Sequence, residues 1–107
     1  MEDGLYKVQF RTPISDGAGV VHKVGQRLYG GDSGFAWTGQ MQESGATLNA
    51  LLEVVQHNPG FESVFGSLQR FELALSGSHT GNSAVLRGVT AAAPGIQIEV
   101  TLSFLRA

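Results

Sequence analysis

Three histidines and three strand-borne glutamates are the residues best able to do chemistry. His22, His57 and His79 could ligate a metal or move a proton. A zinc site needs three or four converging ligands. These three fall on a strand, a strand end and a loop, with no carboxylate at a motif spacing from any of them. They read as surface histidines. Glu53, Glu72 and Glu99 each sit between apolar residues, as on the outward face of an alternating strand. A carboxylate pair for hydrolysis is the alternative that they leave. No catalytic residue, metal ligand or cofactor is assigned, and the chain is not expected to be an enzyme.

Gly31-Asp32-Ser33-Gly34 spells the tetrapeptide around the nucleophile of chymotrypsin-like proteases. That chemistry also requires a histidine base and a separate buried acid, brought together by two barrels. His22 is the one histidine upstream, Asp32 adjoins the serine, and 107 residues are too few for two barrels. A tight turn whose glycines supply positive φ explains the same residues.

The elements that must position any site are strands. Ile96, Ile98, Val100, Leu102 and Phe104 alternate with Gln97, Glu99, Thr101 and Ser103. A period of two sends successive side chains to opposite faces of a sheet. The same pattern predicts strands over Leu5 to Thr12, Gly19 to Val24, Arg27 to Tyr29, Phe35 to Gln42, Thr47 to Gln56, Leu68 to Leu75, Ala84 to Ala91 and Ile96 to Leu105. Turn chemistry separates them: Pro13 with Asp16-Gly17, Gly25, Gly30-Gly31-Asp32, Ser44-Gly45, Gly77, Gly81-Asn82 and Pro94-Gly95. Asn58 as N-cap, Pro59 at the first helical position and Gly66 as stop predict one short helix over Asn58 to Ser67. Eight short strands joined by short turns predict an all-β, eight-stranded antiparallel up-and-down barrel, which removes its edges by closing. Gly39 and Gly88 inside strands permit the coiling that a small barrel needs. An open sandwich is the alternative.

Tyr6, Phe10, Phe35, Trp37, Met41, Phe71 and Phe104 share the apolar parity of their strands and are the candidate barrel lining. An eight-stranded barrel is just wide enough for side chains to fill it, or for one small ligand. With Leu73, Leu75, Ile98 and Leu102 added, the interior is expected to be mostly filled. A pocket for a small apolar ligand is the alternative, with Trp37 and Tyr6 reaching a mouth where their polar tips find partners.

Composition excludes several classes. The seven cationic residues are scattered and net charge is −2, so no basic stripe offers itself to nucleic acid. Cysteine is absent, which removes disulfides and thiolate metal sites. Met1-Glu2-Asp3-Gly4-Leu5-Tyr6 has neither the basic nor the apolar region of a signal peptide, and no apolar run is long enough to span a bilayer. A soluble, cytoplasmic single domain is expected, of a size that buries roughly two-thirds of its unfolded surface.

The fifth strand is apolar on both faces: Leu48, Ala50, Leu52 and Val54 on one, Leu51 and Val55 on the other. Such a strand should be covered on both sides. The cover would be Phe61, Val64 and Phe65, or a second subunit, and a homodimer through Leu51 and Val55 is expected. The opening Asp3-Gly4-Leu5-Tyr6, followed by Lys7-Val8-Gln9-Phe10, resembles the start of the GrlR family of type III secretion negative regulators. Gly30-Gly31-Asp32-Ser33-Gly34-Phe35-Ala36-Trp37-Thr38-Gly39 is similar to that family's Gly-Gly-Asp turn, aromatic and following glycine. The likeness covers about the first half of the chain. It implies a lipocalin-like barrel, a dimer, and action by binding a transcriptional regulator of the helix-turn-helix type. It also implies partner recognition by an acidic loop after the aromatic strand. The matching residues here, Gln42-Glu43-Ser44-Gly45, carry one carboxylate. Two functions follow as expectations: a regulatory protein-binding module, or a carrier or sensor of a small apolar ligand.

Overall fold

The computed structural model describes all 107 residues. Eight strands form in chain order: β1 (Gly4–Arg11), β2 (Asp16–Val24), β3 (Arg27–Gly31), β4 (Phe35–Ser44), β5 (Thr47–Gln56), β6 (Arg70–Thr80), β7 (Ser83–Val89) and β8 (Ile98–Arg106). Each pairs antiparallel with its neighbour, and β8 returns to β1, so the sheet is a closed barrel rather than an open sandwich. The closing ladder sets Tyr6 against Phe104, Val8 against Leu102 and Phe10 against Val100, after a register shift between Leu5 and Tyr6. Twenty buried residues form one core inside the cylinder.

The two ends of the barrel differ in kind. At one end three hairpins turn on two residues each, Gly25-Gln26, Gly45-Ala46 and Gly81-Asn82. The glycine has φ near +60° in all three, and no other residue type has positive φ. That combination is the type II′ turn, whose twist matches the flanking strands. At the other end the connections are longer, at 12–15, 32–34, 57–69 and 90–97. We refer to these as the turn end and the loop end.

The expected helix at Asn58 to Ser67 does not form. Asn58 Oδ1 instead accepts from the Gly60 N–H at 3.1 Å, and Phe61 N–H donates to the Asn58 carbonyl. A second tight turn follows, with Ser63 and Gly66 exchanging main-chain bonds of 3.0 and 3.1 Å. The Asn side chain that could cap a helix serves an Asx turn equally well. Two successive turns also bury both Val64 and Phe65 at the loop end. Elsewhere the strand limits shift by a few residues. The largest change is in β6, which runs through Gly77 to Thr80 instead of turning there. Asp16-Gly17 belongs to β2, and the β1–β2 turn closes through Thr12 N–H on the Ser15 carbonyl at 2.8 Å.

Gly39, Gly77 and Gly88 lie where neighbouring strands approach closely. A Cβ added there would overlap the main-chain oxygens of Leu51, Val85 and Ala74 respectively. Gly60 lies on the loop-end segment, where an added Cβ would meet nothing closer than 3.4 Å. Gly39→Ala is therefore expected to lower unfolding stability by about 2–3 kcal/mol. Gly60→Ala should change it by less than about 1 kcal/mol. Urea denaturation of both variants checks the contrast, and equal losses would contradict the packing described.

Candidate functional site

The turn end is sealed by a charged cluster. Lys23, Glu43 and His79 continue the inward parity of β2, β4 and β6 past their last apolar residues, and Lys23 is only 6% exposed. Its Nζ lies 3.1 Å from Asp3 Oδ1 and 3.8 Å from Glu43 Oε1. The Met1 amino group donates to both Glu43 oxygens, at 2.9 and 2.7 Å. His79 bridges two hairpins, with Nδ1 2.9 Å from the Gly81 carbonyl and Nε2 3.0 Å from the Gly45 carbonyl. Beneath this cluster Tyr6 donates its hydroxyl to the Glu2 carbonyl at 2.6 Å. Burial, and then the nearby carboxylates Glu2, Glu43 and Asp3, push that phenol above its usual range. The Lys23 hydrogen bond, and then that of the Gly25 N–H, hold Asp3 below the ordinary carboxylate range.

The loop end carries the opposite arrangement, an apolar cavity of about 290 Å³. Six of the nine aromatic residues line it: Phe10, Phe35, Trp37, Phe61, Phe65 and Phe71. Aliphatic side chains including Val54, Leu73, Ile98 and Val100 complete the wall. Phe10 meets Trp37 edge-on at 5.4 Å, and Phe65 meets Phe71 likewise at 5.3 Å. Two inward glycines of β2 make room for the first pair. A Cβ at Gly17 would stand 2.7 Å from the Phe10 ring, and one at Gly19 would stand 2.6 Å from Trp37 Cη2. The 57–69 segment sits at the mouth, tied down by Thr12 Oγ1 donating to the Val64 carbonyl and by Gln56 Nε2 donating to the Phe61 carbonyl, both at 2.6 Å.

The seven residues expected to line the barrel divide between these ends. Phe10, Phe35, Trp37 and Phe71 face the cavity. Tyr6 and Met41 are fully buried away from it, and Phe104 packs edge-on against Tyr6 at 5.2 Å. Trp37 lines the cavity, whereas Tyr6 turns its hydroxyl to the Glu2 carbonyl at the other end. The interior is filled only toward the turn end. Of the residues expected to make protein contacts, Gln42, Glu43 and Ser44 are all exposed, and the Glu43 carboxylate is engaged with Met1 and Lys23. Leu51 is 56% exposed on the outer wall and Val55 is half-buried, so Phe61, Val64 and Phe65 do not cover Leu51.

The Gly31-Asp32-Ser33-Gly34 turn is built by Asp32, not by positive φ at its glycines. Asp32 Oδ1 accepts from the N–H groups of Gly34 and Phe35, both at 2.9 Å. His57 Nε2 meets the Asp32 main-chain oxygen at 3.0 Å instead of Ser33. Glu53 lies opposite Glu72 on the outer wall and is held by Arg70 at 2.8 Å. His79 lies on β6 facing inward and is not a loop residue of the surface. No three His, Asp or Glu side chains group as a metal site. Comparison with known proteins matches the chain to no family model and to no curated protein.

Glu43 makes the sealed end sensitive to acid. Burial acts to raise its pKa, but the hydrogen bonds and charge of the Met1 amino group, with Lys23 and His79, outweigh it and leave the carboxyl below its ordinary 4.5. A folded-state value below the unfolded one gives stability that is fully present above about pH 4.5 and lost as pH falls through the folded value. The melting temperature should therefore fall more steeply below pH 4.5 in the parent than in Glu43→Gln. Parallel acid profiles would contradict the role given to this carboxylate.

Proposed function

We propose that the chain is a lipocalin-like barrel that binds a small apolar molecule at its loop end, as a carrier or sensor. One observation carries this reading. The interior is filled and charge-sealed at the turn end, yet an apolar cavity of about 290 Å³ persists at the loop end. Close packing is the norm for protein interiors, so a cavity of that size among large rings is space kept for something. At about 30 Å³ per group in the liquid, it has room for roughly ten non-hydrogen atoms.

n-Octanol, with nine such atoms, is a fitting probe. At about 0.5 kcal/mol per atom its Kd would be roughly 1 mM or tighter. Titration followed by the emission of Trp37, the one tryptophan, should saturate. Val54→Phe, which adds bulk to the cavity wall, should weaken binding at least about tenfold. A change linear in octanol, unaltered by that variant, would contradict the reading.

A second reading, the homodimer that a GrlR-like regulator would form, draws on the outer wall. Leu51, Ala74 and Val89 are directly paired across β5, β6 and β7 and form an exposed aliphatic row. Because the Glu43 carboxylate is taken up by Met1 and Lys23, this row and not the loop would be the contact surface, with a second copy of the chain as occupant. On this reading light scattering gives a dimer at micromolar concentration and Leu51→Glu gives a monomer. A monomeric parent protein would sink it.

A further inference from the structure

Resting on the ligand-binding reading above, we infer that the loop-end cavity takes an apolar molecule bearing a protonated amine and discriminates against a carboxylate on the same skeleton. Charge sign at the rim is the first observation. Among the residues that line the cavity, the ionisable ones are Asp16, Asp32 and Glu62, all carboxylates, with no lysine, arginine or histidine. Nearby cations are committed elsewhere. Arg11, whose main chain pairs with Asp16, sends its guanidinium to Glu99 at 3.2 Å, and Arg70 is held by Glu53 at 2.8 Å. His57 spends its Nε2 on the Asp32 main-chain oxygen.

Asp32 is the group best placed to receive a cation. Both turn hydrogen bonds fall on Oδ1, which leaves Oδ2 without a protein partner. The turn also holds this carboxylate at little entropic cost to a ligand, since its rotamer is already set by the two N–H donors.

The wall chemistry is a second and independent observation. Below the rim the lining is hydrocarbon, six of its residues are aromatic, and Trp37 is among them. The faces of such rings carry negative potential and attract an ammonium group, the indole most strongly. The same faces repel a carboxylate, which would also leave water without a donor to replace it. Ring quadrupoles and rim carboxylates therefore act with one sign. The tail is set by volume, and a saturated chain or small ring of about ten atoms fills the space.

The test compares three octyl probes at pH 7 by Trp37 emission: n-octylamine, n-octanol and octanoate. The neutral alcohol reports on the cavity alone. We expect n-octylamine to bind at least about tenfold more tightly than octanoate, with n-octanol between them. Asp32→Asn keeps the Oδ1 acceptor for the turn, and combined with Asp16→Asn and Glu62→Gln it should shrink that ratio to about threefold or less. Octanoate binding as tightly as n-octylamine, with n-octanol also bound, overturns the charge preference and spares the ligand-binding reading. An undiminished ratio in the triple variant overturns the assignment to these carboxylates. Failure of all three probes to bind overturns both readings.

Discussion

Closure of β1 onto β8 is the constraint from which the rest follows. Once the sheet is a cylinder, every inward side chain shares one lumen with the seven other strands. An eight-stranded lumen is narrow enough that side-chain size alone decides where it is full. Tyr6, Met41, Leu48 and Leu86 are the largest side chains to be fully buried, and the cavity reaches none of them. The open space lies at the other end of the same tube, among rings braced against one another.

The asymmetry between the ends has a local cause. Two-residue II′ turns bring adjacent strands together with no chain to spare, so the turn end is closed by side chains together with the N-terminal residues, Met1 on Glu43 and Asp3 on Lys23. Lys23 points inward at a strand end, where a buried charge must be partnered, and Asp3 and Glu43 partner it. The loop end has chain to spare. Residues 57–69 use it to lay Val64 and Phe65 at the mouth without filling the lumen beneath. The barrel is thus closed by ion pairs at one end and shaped by rings at the other.

Alternation in the sequence was enough to find eight strands, their order and the inward parity of nearly every core residue. Height along the axis was not legible. Tyr6, Met41 and Phe104 alternate inward just as Phe10, Phe35, Trp37 and Phe71 do, and only strand stagger assigns them to different ends. The sealed end is legible in the same alternation. Lys23, Glu43 and His79 keep the parity of Val21, Met41 and Leu75, and following that parity past the last apolar residue finds all three. The helix signal at Asn58 is ambiguous because one side chain serves an N-cap or an Asx turn, and which is used depends on burying Val64 and Phe65 together. Gly77 misled for a related reason: glycine marks a turn and a close strand approach alike, and here the turn lies four residues on, at Gly81.

The central claim is that the lumen is open at the loop end and closed at the turn end. Methyl NMR of the protein titrated with a neutral apolar probe tests it most directly, because each end carries its own aliphatic reporters. Shifts confined to Val54, Leu73, Ile98 and Val100, with Leu48 and Leu86 unmoved, are the predicted result. Equal shifts at Leu48 and Leu86, or none at the loop end, would contradict the account.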